Sequence, residues 1–130
     1  MKAIISNEAP AAIGPYSHAV ISDSVIFTSG QIPIMPSTGE IVSGGIKEQA
    51  EQVIKNLKAV LISAGSDLDH VLKTTCFLTD MADFAAFNEV YAVHFTGKPA
   101  RSCVAVRALP KGALVEIEAV AQIKKNTESA

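Results

Sequence analysis

The strongest hydrophobic pattern in the chain lies between residues 46 and 64. There Ile46, Ala50, Val53, Ile54, Leu57, Val60, Leu61 and Ala64 recur at helical spacing, while Lys47, Glu48, Glu51, Lys55 and Lys58 fill the opposite face. Gly65 stands where a helix C-cap belongs. A second helix is expected from Asp80 as N-cap, with Asp83 in its first turn beside the dipole and Phe84, Phe87 and Tyr91 on one stripe. Gly97 ends it and Pro99 prevents its return. Period-two alternation marks the strands. AVIS, Asp23 and VIFTSG read as a hairpin, IPIMPSTGE as a Pro-rich loop with a turn, and KTTCFLT as a further strand. In LVEIEAVAQIK, Val115, Ile117, Ala119, Ala121 and Ile123 alternate with Glu116, Glu118, Val120 and Gln122.

Between Pro99 and Pro110 the β-branched Val104 and Val106 predict a core strand. Its alternation puts Ser102, Val104, Val106 and Ala108 on one face and Arg101, Cys103, Ala105, Arg107 and Leu109 on the other. The element order is strands, helix, strand, helix, strand, strand, with no linker rich enough in Pro, Gly or Ser to divide it and no internal repeat. This predicts one α+β domain over residues 1–130 with two crossover units and a frayed polar tail at about 125–130. Two helices about 10 Å wide cannot cover both faces of a sheet whose strands lie about 4.8 Å apart. One face, expected to carry small and partly apolar residues, is therefore left for a homo-oligomer to bury.

Composition narrows the class. A chain of 130 residues, 48% of them hydrophobic, suffices for one domain with a core. The net charge of −2, from 11 basic and 13 acidic residues without a basic run, offers no footprint for a nucleic acid. No apolar run reaches the roughly 18 residues of a membrane span, and the start MKAIISNEAP lacks a signal-peptide core. Cys76 and Cys103 lie far apart without a CxxC, which fits a reducing compartment, and a cytoplasmic protein is expected. His18, His70 and His94 have no metal-ligand spacing, so no metal site is expected.

Several residues have the chemistry of a site, each with a plainer alternative. The planar guanidinium of Arg101 matches a carboxylate bidentately, which suits a small organic acid; equally it could form a structural ion pair with Glu116 or Glu118. Those two glutamates share one strand face, where either could hold a water and shuttle its protons, or simply be solvated. Spacing does not choose between them. Ser29 and Gly30 of FTSGQIP either let a ligand approach the backbone or form an ordinary turn. Tyr16 could reach a site with its hydroxyl or cap the core. Cys103 has no histidine or triad partner in view and reads as pocket-lining. Asn88, polar on an aromatic stripe, either bonds backbone or faces a ligand.

APAAIGPYSHAV, FTSGQIPI with PSTGEI, PARSCVAV and LPKGALVEIEAVA resemble, in order and along nearly the whole chain, the reactive intermediate deaminase family (RidA, YjgF-like). The resemblance implies a chorismate-mutase-like α+β fold, a mixed sheet with two helices on one face, and a homotrimer with sites in the clefts between subunits. It also implies cofactor-free hydrolysis of 2-aminoacrylate, its tautomer 2-iminopropanoate and 2-iminobutanoate to 2-oxo acids and ammonia. By the same resemblance Arg101 of PARSC grips the carboxylate, Cys103 offers its backbone amide, and Glu116 positions and activates water. Tyr16, Ser29 and Gly30 line the pocket, joined by Asn88. The stretch HFTGKPARS is shorter than in many relatives, which alters one pocket wall, and no role is carried over to Arg107. Two other functions compete: an endoribonuclease or translation inhibitor, against which the acidic charge argues, and a non-catalytic module that binds 2-oxo acids through the same arginine.

Overall fold

In the computed structural model, which describes residues 1–125, the elements are β1 (Lys2–Ile4), β2 (Ala19–Ser22), β3 (Val25–Thr28), α1 (Ile46–Ser63), β4 (Val71–Leu78), α2 (Phe84–His94), β5 (Ala100–Ala105) and β6 (Val115–Gln122). They build one mixed sheet in the order β1-β2-β3-β6-β4-β5. Both β3 and β4 run antiparallel to β6, so α1 carries the chain between two parallel strands that β6 separates. The second crossover, α2, joins β4 to its parallel neighbour β5.

The helices cover one face. Val53, Ile54, Leu57, Val60 and Leu61 of α1 and Phe87 and Tyr91 of α2 pack on Ile26, Cys76, Leu78, Val115, Ile117 and Ala119. The uniform spacing of those α1 side chains is why this helix was legible, and its end follows the Schellman pattern. Gly65, at φ 89°, lets its amide reach the Ile62 carbonyl at 3.1 Å and the Ser66 amide reach that of Leu61 at 2.8 Å. Asn56 and Gln49 are the buried polar side chains of this helix, and Asn56 is the deeper of the two. Its amide donates to the carbonyls of Ile32 (3.0 Å) and Ile34 (2.9 Å), tying down the loop that follows β3.

Three expectations need correction, and one strand went unpredicted. The N-terminal residues contribute β1, a three-residue edge strand on β2 too short to show alternation. The Arg101 segment is not a core strand running to Pro110. It is the sheet's edge and ends at Ala105, because β4, its only partner among the described residues, stops at Leu78 and takes a last bond from the Val106 amide at 2.7 Å. At the second helix Asp80 does cap, its carboxylate accepting from the Ala82 amide at 2.9 Å. What it caps is a 3₁₀ turn, Met81–Asp83, that leads into α2. The helix then stops at His94 rather than Gly97, with buried Phe95 stacked on Tyr91 at 4.3 Å between ring centroids. Finally, the uncovered face is not made of small residues alone: beside Thr75 and Ser102 it bears Val20, Phe27, Phe77, Val104 and Val120, and Phe27 is 49% exposed. Of the predicted polar tail, residues 126–130 lie outside the described residues.

Candidate active site

The sheet register decides which candidate side chains can meet. Arg101 sits opposite Thr74 and Cys103 opposite Cys76, both partners buried under the helices. Glu116 sits opposite Phe77, between the core residues Val115 and Ile117, and therefore points from the other face. The seven candidates thus fall into two groups on opposite faces of the sheet.

The first group is Arg101, Asn88 and Cys103. The guanidinium lies 4.8 Å from the Tyr91 ring centroid and 5.5 Å from that of Phe84, and its Nη1 donates to Asn88 Oδ1 at 2.7 Å. Among the described residues no carboxylate pairs with it. This removes the structural ion pair with Glu116 or Glu118. Asn88 supplies an oriented, uncharged acceptor, so the arginine is held in place while its charge stays uncompensated. Tyr91 is locked in turn by a 2.7 Å hydrogen bond to Thr74 Oγ1. Beside them, Pro99, Lys98 and Phe95 of the short loop complete a cleft of about 510 Å³. Burial raises the Cys103 thiol, with the Arg101 charge opposing, and pushes buried Cys76 up to about 12. Neither sulfur is disposed to be a thiolate at neutral pH.

The second group, Tyr16, Ser29, Gly30 and Glu116, lines a cleft of about 520 Å³ whose wall also includes Ile13 and Ile34. The β3–β6 ladder is interrupted after Thr28, whose hydroxyl accepts from the Ala119 amide at 3.0 Å, and resumes where Gln31 and Ile117 exchange backbone bonds of 2.9 and 3.1 Å. Ser29 and Gly30 bulge out between these points. Ser29 is hooked by its amide to the His18 carbonyl (2.9 Å) and by its hydroxyl to that of Ser17 (2.7 Å). Gly30 lies directly against the Glu116 carboxylate, where no side chain would fit without moving it. Burial, then the charge of Glu118, raises the Glu116 pKa above the ordinary glutamate value. Glu118 is exposed. The geometry therefore distinguishes two glutamates that spacing alone could not.

Sequence reasoning missed Tyr91 as the platform under the guanidinium, because its place on an aromatic stripe reads as core. It also missed His18, whose lone occurrence carries no motif. Among the described residues no group of three or more His, Cys, Asp or Glu side chains is placed to hold a metal ion, and no helix is long and apolar enough to cross a membrane.

A six-stranded mixed sheet with two crossover helices on one face, a carboxylate-free arginine at its edge and a glutamate cleft behind it defines a chorismate-mutase-like α+β protein. The chain belongs to the Endoribonuclease L-PSP family, which includes the RidA and YjgF proteins, with residues 6–123 matching the family model. It is 51% identical over 121 residues to the 2-iminobutanoate/2-iminopropanoate deaminase of Mus musculus, covering 92% of this chain and 90% of that one. The crystal structure of the E. coli YjgF gene product matches at a TM-score of 0.90 and 44% identity, over 95% of this chain and all of that one. E. coli TdcF with bound serine matches at 0.89 and 44%, with the same coverage.

Proposed function

We propose that the protein hydrolyses small 2-imino acids, 2-iminopropanoate and 2-iminobutanoate among them, to 2-oxo acids and ammonia, in sites shared between copies of a homotrimer. The observation that carries this reading is the Arg101 guanidinium. It is stacked on two rings, aimed by a neutral acceptor and left without a counter-charge, as a clamp awaiting a carboxylate requires. The mouse relative's name supplies the substrate class, and a TdcF crystal structure holding serine fits a pocket for a compact carboxylate-bearing amine.

The chemistry asks little of the protein. With the carboxylate on Arg101, the protonated imine carbon is already electrophilic, and Glu116 accepts a proton from a water that attacks it. The carbinolamine formed passes its hydroxyl proton to its nitrogen, the C–N bond breaks to leave the 2-oxo acid, and the departing ammonia takes the proton back from Glu116 and leaves as ammonium. A carboxylate whose pKa is raised by burial is the better base for that water. General-base assistance of this kind is worth about 10²–10⁴-fold. Tyr16, Ser29 and Gly30 shape the wall around the side chain, and the Cys103 backbone lies beside the clamp.

Arg101 and Glu116 cannot serve one substrate within a single copy, since the sheet separates them. A neighbour that brings its arginine edge to the glutamate cleft would complete the site. Such a contact joins two different surfaces and so propagates around a ring, closing at three in the proposed trimer. The exposed apolar side chains of the uncovered face, Phe27 and Val104, give that contact its hydrophobic area. Two free thiols suit the reducing cytoplasm as the place of action.

The test is to generate each imine with an amino acid oxidase and follow its loss with and without the protein. Acceleration that disappears in Arg101→Ala supports the deaminase. No acceleration, with 2-oxobutanoate still binding, leaves a non-catalytic module. RNA cleavage that survives repurification and is abolished by Arg101→Ala would favour the endoribonuclease reading instead.

A further inference from the structure

We propose that His18 is a positioning residue, the latch that holds the chain from Ser6 to Tyr16 as one wall of the glutamate cleft; the inference rests on the deaminase reading of that cleft. His18 is 1% exposed, and both ring nitrogens are bonded to backbone of this segment. Nδ1 accepts from the Ser6 amide at 2.8 Å and Nε2 donates to the Pro10 carbonyl at 2.7 Å. Because Nδ1 accepts an N–H, the proton must sit on Nε2, and the ring spans the loop as one acceptor and one donor.

The segment needs such a device. It contains Pro10, Gly14 and Pro15, belongs to no strand or helix, and the Tyr16 amide to Gly14 carbonyl contact of 3.0 Å is the backbone bond described within it. Yet it carries Ile13 and Tyr16 into the cleft with few bonds of its own. The latch extends outward from the ring. Ser6 Oγ donates to the Ala59 carbonyl of α1 and accepts from Ser63 Oγ at 2.8 Å. On the other side the His18 carbonyl takes the Ser29 amide at 2.9 Å, next to the Gly30 turn that abuts Glu116. One residue therefore ties α1, the cleft wall and the turn beside the proposed base. Of the three partners, Pro10 and Ser29 line the cleft itself, and Ser6 anchors the start of the segment that forms its wall.

A glutamine places an acceptor and a donor across one carbon, as the imidazole places its two nitrogens, whereas leucine fills the space and makes neither bond. His18→Gln is expected to keep near wild-type kcat/KM for 2-iminobutanoate, and His18→Leu to lose on the order of 10²-fold, the usual consequence of misplacing a reacting group by about 1 Å. Both are measured well below their unfolding temperatures. Equal activity in all three proteins, or equal loss in the two variants, overturns the proposal. Long-range ¹H–¹⁵N spectra of the wild type supply a reading free of activity and of variant folding: a proton on Nε2 and slow exchange of the Ser6 amide are expected, and a proton on Nδ1 overturns the latch. If the wild type hydrolyses no imine, the deaminase reading fails by itself, and these spectra still decide whether the latch exists. If His18→Leu does not fold, a large loss in His18→Gln overturns it.

Discussion

Adding a single methyl group at Gly30 separates catalysis from folding. The backbone there is not in the left-handed region, so alanine adopts it without strain. Its Cβ, however, would lie 2.8 Å from Cδ and 3.0 Å from Cγ of Glu116. Carbon atoms prefer about 3.5–4.0 Å, so the carboxylate must retreat by roughly 1 Å. What moves is the end of a flexible side chain facing a cleft. The cost to the fold is about 1–3 kcal/mol of overpacking, offset by about 0.4–1 kcal/mol from the restricted unfolded chain. The cost to the reaction is larger in proportion, because a displacement of that size misaligns base and water and lowers the rate on the order of 10²-fold. Imine loss coupled to an amino acid oxidase, measured beside thermal unfolding, tests both numbers. Gly97→Ala is the control: its Cβ would meet nothing closer than 3.9 Å, and the rate should not change. A folded Gly30→Ala protein with wild-type turnover would refute the placement of Glu116 at the reacting water.

Other expectations follow from the same geometry. Removing the Asn88 acceptor in Asn88→Ala loses a hydrogen bond to a charged donor worth about 1.5–3 kcal/mol, so 2-oxobutanoate, titrated calorimetrically, should bind roughly 10–100-fold more weakly; unchanged affinity would remove Asn88 from the clamp. Glu116→Gln should slow imine hydrolysis far more than Glu118→Gln, and the reverse order would transfer the water-handling role. The raised pKa of Glu116 also has a stability consequence: its favourable contribution is complete at acid pH, below the unfolded value, and is lost as pH rises through the folded one. Thermal scans should therefore find Glu116→Gln more stable than the wild type near neutrality, the difference closing as pH falls into the ordinary glutamate range; a difference that widens on acidification would contradict the sign.

What could be read from the sequence was what repeats locally. The α1 stripe, the β6 alternation and the β2–β3 hairpin each state their own period, and the Asp80 cap is written in one residue. The segment around Arg101 misled because Val104 and Val106 carry a core-like strand signal while the pairing that makes β5 an edge depends on β4, whose partner residues lie 27 positions earlier (Thr74 to Arg101). The length of β1 left no room for a period. Glu116 and Glu118 are equivalent by alternation, and they became distinct only through the non-local bridge of Gln31 to Ile117, which sets Gly30 against one of them. The same holds for Arg101 and Glu116: alternation assigns each a face of its own strand, but the order of strands in the sheet is what makes those faces opposite.

That opposition gives the account its most direct test. Arg101→Ala and Glu116→Gln, each expected to be inactive alone, are unfolded together in equal amounts and refolded as a mixture. If one copy supplies the clamp and its neighbour the base, random assembly restores a complete site at about a quarter of the interfaces, and imine hydrolysis returns to that fraction of the wild-type rate. Mixed assemblies that form but remain as inactive as either parent would contradict a site divided between copies.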